Sequence, residues 1–183
     1  MANTQETMAA GTSATPGTGE VDSRVRSAEE REIVAFAADL AAELAPHAAE
    51  LDAAGVMVTG QIERLQRAGY AGLTVPTAYG GRGANLYSFL LAQERLAEGD
   101  ASATLVLGWH LGITQSLQYT HAWPEALYEG FCREAVAGRA LVNACGTEPE
   151  TGSPSRGGRP TTIAVAVEGG YRITGRKTWA TGS

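Results

Sequence analysis

The sequence predicts an α+β protein: an N-terminal all-α helical bundle followed by the start of an antiparallel β-barrel or sheet domain, cut short. Three observations carry this. Apolar residues recur at three- and four-residue spacing from Ile33 to Val136, the period of an amphipathic helix. After Gly138 the spacing falls to two, the period of a strand. The composition, with 32 Ala but only 3 Phe, 3 Trp and 6 Tyr in 183 residues, describes an alanine-rich helical chain with a lean core.

Residues 1–24 hold Gly, Ser, Thr, Ala and Pro with almost no large apolar side chain, so they offer too little burial to offset ordering and read as a disordered leader. Ser27 followed by Glu29 and Glu30 is an N-cap with acids in the first turn. Ile33, Phe36, Ala37, Leu40 and Leu44 form one apolar face, which is expected to end at Pro46. A second helix is expected from Thr59, as cap, to Gly69, with Ile62 and Leu65 on one face. Residues 73–83 (LTVPTAYGGRG) read as loop.

Leu86, Phe89, Leu90 and Leu96 mark a third helix. Leu105, Trp109, Ile113 and Leu117 mark a fourth, apolar on more than one side and so expected to be central. A fifth spans Trp123 to Val136, with Pro124 at its start and Gly138 past its end. Residues 140–143 are expected to form a strand. Ile163, Val165 and Val167 share a face of another, Gly169-Gly170 is the expected turn, and Tyr171, Ile173, Lys177, Trp179 and Thr181 share a parity on the return strand. The expected domains are thus 25–138, helical, and 139–183, the beginning of a β domain.

A formal charge of −6 with no run of basic residues argues against a nucleic-acid partner. Cys132 and Cys145 lack metal-ligand spacing, and no segment approaches the roughly 20 apolar residues of a membrane span, so the chain reads as cytoplasmic with neither metal nor membrane span. Several catalytic signatures fail on inspection. Gly170–Thr178 is spaced like a phosphate-binding loop but puts Arg176 at the lysine position. GGRGAN lacks the third glycine of a dinucleotide fingerprint, and His47, His110 and His121 have no GxSxG turn beside them, so each reads as an ordinary surface or core histidine.

Two stretches carry more information. In residues 143–153 (NACGTEPETGS), Thr147 precedes Glu148-Pro149, and Gly152-Ser153 closes a loop whose amides and hydroxyls can hold an anionic oxygen. In residues 177–181 (KTWAT), period two sets Trp179 and Thr181 on one face, an indole and a hydroxyl suited to a flat ring with a polar edge. A core indole beside a surface hydroxyl is the plainer alternative for that strand by itself.

Taken together, the PTAYGG loop, the GDAS helix start, the TEP turn and the GRKTWAT strand resemble, in order and spacing over residues 27–183, the acyl-CoA dehydrogenase superfamily. The resemblance implies an FAD enzyme that desaturates acyl-CoA thioesters between the α and β carbons. It gives Thr147 a contact with the flavin pyrimidine edge, Ser153 one with the pyrophosphate and the bound thioester, and Trp179 and Thr181 positions against the isoalloxazine. It sets the Leu105–Ile113 helix against the acyl chain. It implies that the middle domain's remaining strands, the C-terminal bundle and the catalytic carboxylate are not in this chain, so no residue here is expected to be catalytic. A homo-oligomer or a complementing chain is the implied partner, besides the acyl-CoA or a related small molecule. Glu150, Thr151 and Pro154 depart from the family's small-residue loop with its following Asp, and Gly-Ser-Pro-Ser-Arg-Gly-Gly is closer to bacterial branches that include monooxygenases. A flavin monooxygenase of the same fold is therefore one alternative, and a non-catalytic remnant or interaction subunit another.

Overall fold

The computed structural model describes residues 23–182. It is mostly helical with one small antiparallel sheet: α1 (Ala28–Ala54), α2 (Thr59–Arg67), α3 (Leu86–Ala97), α4 (Ala101–Thr120), α5 (Glu125–Val136), then the hairpin β1 (Ile163–Val167) and β2 (Gly170–Thr174). Short 3-10 turns lie at Tyr70–Gly72, Thr77–Tyr79 and Pro154–Arg156. The leader expected over residues 1–24 lies outside the described residues except for its end, where Arg24 pairs with Glu94 at 2.6 Å and its carbonyl accepts from the Tyr87 hydroxyl.

Helix α1 starts as its sequence dictates. The Ser27 hydroxyl accepts from the Glu30 amide at 3.1 Å, while the Glu30 carboxylate accepts from the Arg26 amide. It does not stop at Pro46 but runs on to Ala54, where Gly55 adopts φ +61°. Packing on both sides of the proline outweighs the lost hydrogen bond: Leu44 is fully buried, and Leu51 packs against the same core. Thr59 likewise proves to be the first helical residue of α2 rather than its cap. Val58 occupies the cap, with no side-chain hydrogen bond.

The core joins α1, α2, α3 and α4 around Leu40, Leu44, Leu65, Tyr70, Leu73, Leu96, Leu107 and Leu111. One buried amide ties three of these helices. Gln61 of α2 donates to the Leu44 carbonyl at 3.0 Å and to Asp100 at 3.3 Å, and Asp100 caps α4 by accepting from Ala103 at 2.9 Å. The turn between α3 and α4 passes so close to α1 that a Cβ on Gly99 would lie 2.3 Å from the Ala41 carbonyl oxygen, which only glycine permits.

Helix α4 is apolar on two sides, but the described residues cover only one. Ala103, Leu107, His110 and Leu111 are buried, whereas Leu105 and Trp109 are 58% and 50% exposed. The expectation of a fully central helix is corrected to this extent. Leu86 and Leu90, taken as marks of the α3 face, are also exposed.

In the last third, residues 140–143 form no strand. Side chains take up their polar groups instead, the Val142 amide donating to His110. The hairpin pairs Ile163 with Thr174 and Val167 with Gly170, so the turn is Glu168-Gly169 rather than Gly169-Gly170, and Gly169 at φ +79° supplies its left-handed residue. Ile163, Val165 and Val167 lie on one face and Tyr171 and Ile173 on the other, all exposed. The return strand ends at Thr174, and residues 175–181 leave the sheet. No helix among the described residues is long and apolar enough to cross a membrane.

Candidate functional site

The chain's single lysine finds its partner in the TEP turn. Glu148 is 1% exposed, and its carboxylate accepts from Lys177 Nζ at 2.7 Å, the Thr161 hydroxyl at 2.7 Å, the Thr161 amide at 2.5 Å and the Thr162 amide at 3.0 Å. With the Lys177 ammonium first among these donors, the carboxyl is held well below the ordinary carboxylate range. One side chain thus joins three segments: the TEP turn, the entry to β1 and the stretch leading to Trp179.

The surrounding backbone follows from that junction. The Thr178 amide donates to the Thr147 carbonyl at 3.0 Å, and the Asn143 side chain donates to the Thr181 carbonyl at 2.7 Å, so residues 143–147 and 177–181 run side by side. A further anchor reaches back into the helical core. His110 is buried, its Nε2 2.9 Å from the Ala71 carbonyl and its Nδ1 3.1 Å from the Val142 amide. A carbonyl requires Nε2–H and an amide requires a bare Nδ1, which fixes the neutral tautomer, and burial lowers the imidazole pKa to match.

Thr147, Trp179 and Thr181 are therefore brought together, though not as a strand face. Trp179 has φ +59° and is 86% exposed, because the chain beyond Gly175 turns away from β1 to bond with Thr147, and this breaks the two-residue alternation. Ser153 lies on the loop closed by the Glu148–Gly152 bridge. Its hydroxyl accepts from the Ser155 amide at 3.3 Å and meets the Ser155 hydroxyl at 2.8 Å, capping the turn that Pro154 begins. Thr181 lines two small cavities of about 280 and 160 Å³ against α4, which share Val106 and Gly182. The Thr178 hydroxyl, buried beside this patch, has no partner among the described residues. The exposed Trp179 indole, the partly exposed Thr147 and Thr181 and the unsatisfied Thr178 hydroxyl are an edge that could border a flat ring such as a flavin, beside small cavities, with Ser153 on a separate loop.

A separate, larger space opens on the uncovered side of α4. It is a groove of about 650 Å³, lined mainly by apolar groups, among them Leu105, Gly108, Trp109, Gly112 and Ile113. Leu105 also borders the 280 Å³ cavity that contains Thr181, so groove and candidate cofactor edge adjoin along one helix. This explains why α4 carries an apolar stripe that the core does not cover.

In the sequence Glu148 stands only as part of the TEP turn and Lys177 as part of the expected return strand, and nothing local marks Asn143, Thr161 or Thr162 as partners of this site. The one available signal was the solitary lysine three residues after Thr174. His110, expected to be an ordinary surface or core histidine, lies in the core, with the added task of holding residue 142.

Residues 27–126 match the family profile described as acyl-CoA dehydrogenase, N-terminal domain. YdbM of Bacillus subtilis, named as a candidate acyl-CoA dehydrogenase, is 43% identical over 78% of this chain and 37% of its own length. The L-evernosamine nitrososynthase of a Micromonospora strain is 31% identical over 80% of this chain and 34% of its own. The butyryl-CoA dehydrogenase structure from Megasphaera elsdenii superposes with a TM-score of 0.71 at 27% identity, covering 82% of this chain and 40% of that one. The chain spans little more than a third of the length of these relatives. With the helical core, the paired TEP and KTWAT segments and a profile match over more than half its residues, the chain belongs to the acyl-CoA dehydrogenase family.

Proposed function

We propose that this chain is the acyl-pocket and flavin-edge part of an FAD-dependent oxidoreductase that desaturates acyl-CoA thioesters. The helical domain is taken as residues 25–138, the start of a β domain as 139–183, and residues 1–24 as a leader. The observation that carries the reading is the adjacency along α4 of an apolar groove and the Thr147–Thr181 patch, which would set a thioester's alkyl chain beside a flavin.

Thr147, Trp179 and Thr181 would hold the isoalloxazine, and Ser153 the pyrophosphate and the thioester. When bound, FAD supplies a two-electron acceptor for the β-hydride. Trp179 would exclude water from the ring face, and the Thr181 hydroxyl would donate to or accept from its polar edge. Desaturation also needs a base for the α-proton. Among the described residues no carboxylate lines the groove; of the two in the adjoining cavity, Asp100 is committed to capping α4 and Asp52 is exposed to water at the end of α1, so we assign no catalytic residue to this chain. The identity to a nitrososynthase favours a second reading, a flavin monooxygenase built on the same fold.

The test is to load the purified 183-residue chain with FAD, record its visible spectrum after gel filtration, and assay dye reduction with acyl-CoA. Weak flavin retention without turnover is expected. Stoichiometric flavin with acyl-CoA-dependent turnover would overturn the assignment of no catalytic residue, and an absence of any flavin perturbation by the chain would overturn the cofactor edge.

A further inference from the structure

The groove on α4 is mainly apolar; its polar lining residues are Thr104, whose hydroxyl is spent on the Asp100 carbonyl, Ser116 near the end of the helix, and Gln93, whose side-chain amide reaches in from α3. That amide is tightly held. Its oxygen accepts from the hydroxyl of buried Tyr70 at 2.9 Å, and its nitrogen donates to the Thr104 carbonyl at 3.0 Å. The nitrogen carries two N–H groups, and the second has no acceptor among the described residues. Room for it is made by Gly108, where a Cβ would lie 2.5 Å from Gln93 Nε2. Gly112, one turn on, has nothing within 4 Å of its own Cβ position, so the groove stays wide beyond the amide.

An oriented donor in an apolar groove discriminates between occupants. In the open groove water can satisfy the second N–H. A plain alkyl chain would displace that water and leave the donor unpaired, whereas a chain carrying an acceptor oxygen at the same depth would replace it. A site that offers a fixed hydrogen-bonding group penalises the analogue that cannot use it far more than an apolar pocket penalises a missing methylene. Tyr70 and Thr104 fix the rotamer, so the donor is ready before the ligand arrives.

We infer that Gln93 is a specificity residue, and that the groove takes acyl groups bearing an acceptor oxygen, a ketone or ether, partway along the chain. This rests on the reading of the groove as an acyl site, and deepens it.

The probes are N-acetylcysteamine thioesters of octanoate and of oxo-octanoates with the ketone moved one carbon at a time along the chain. The readout is the indole N–H resonance of Trp109, which lines the groove, in the 183-residue chain. One ketone position is expected to bind about tenfold more tightly than octanoyl, the equivalent of one good hydrogen bond. Gln93→Leu would leave Tyr70 unpaired and could unfold the chain, so two milder variants carry the test. Gln93→Glu keeps the acceptor for Tyr70 but removes the donor, and should abolish the ketone preference while favouring a hydroxyl at that carbon. Gly108→Ala should displace the amide and abolish the preference with Gln93 intact. If all thioesters shift Trp109 with equal affinity, the inference fails and the acyl groove stands. If none shifts it, the acyl groove itself fails, and this inference with it.

Discussion

Lys177 Nζ lies 2.7 Å from Glu148 Oε1, and this contact is what places the KTWAT segment beside the TEP turn. The lysine is about a quarter exposed and the carboxylate not at all, so the pair is anchored on the acid. The two Thr161 donors and the Thr162 amide complete the carboxylate's shell, which lets a charge persist there without water.

Glu148→Gln should loosen all three segments at neutral pH, and the effect should depend on pH in a definite direction. The folded-state pKa lies below the unfolded one, so the ionised carboxylate's contribution is complete above the unfolded value of about 4.3 and is lost as pH falls through the folded value. Thermal melts of wild type and Glu148→Gln should differ by a constant margin near pH 7. The margin should shrink progressively in acid.

His110 titrates in the same sense for a different reason. Burial favours its neutral form, so its contribution is present above the unfolded value of about 6.5 and is lost on acidification through the lowered folded value. Protonation also removes the acceptor for Val142. In an NMR titration the Val142 amide should move together with the His110 ring, at a pH below that of a free imidazole.

Two glycines should respond oppositely to alanine. Gly99→Ala drives a Cβ against the Ala41 carbonyl and should cost about 2 kcal/mol or more, read by urea denaturation. Gly112→Ala meets nothing, and should gain about 0.5 to 1 kcal/mol from the stiffer helix.

Thr181→Ala removes a hydroxyl but keeps the carbonyl that Asn143 binds. In FAD-loaded protein it should weaken flavin retention several-fold, corresponding to about 1 kcal/mol for one hydrogen bond. Equilibrium dialysis against FAD measures it. Unchanged retention would remove Thr181 from the cofactor edge.

The helices were legible because each carries its own signals: Ser27 as cap, Ile33 to Leu44 at helical spacing, Gly138 past the end of α5. Their exceptions are tertiary. Leu51 holds α1 together past Pro46, and no local pattern announces that. On α4, periodicity showed two apolar sides but could not say which one the core would cover. The candidate site was legible as a set of residues and illegible as a shape. Parity put Trp179 beside Thr181 on a strand, whereas the strand ended at Thr174 because Thr178 found Thr147 as its partner, thirty-one positions earlier. The Gln93 amide was hidden for the same reason, since its meaning depends on Gly108 across the helix interface.

The solitary Lys177 has an experimental consequence of its own. The 183-residue chain has one ε-amine, so after labelling with an amine-selective reagent and proteolysis, the mass increment on the peptide that carries Lys177 reports one place. A protonated, ion-paired ammonium is a poor nucleophile, and acylation must wait for Glu148 to let go. The labelling rate at Lys177 therefore counts openings of the junction between the TEP turn and the KTWAT segment. A flavin or thioester that settles on this edge should slow that clock, giving a binding signal that needs neither colour nor turnover.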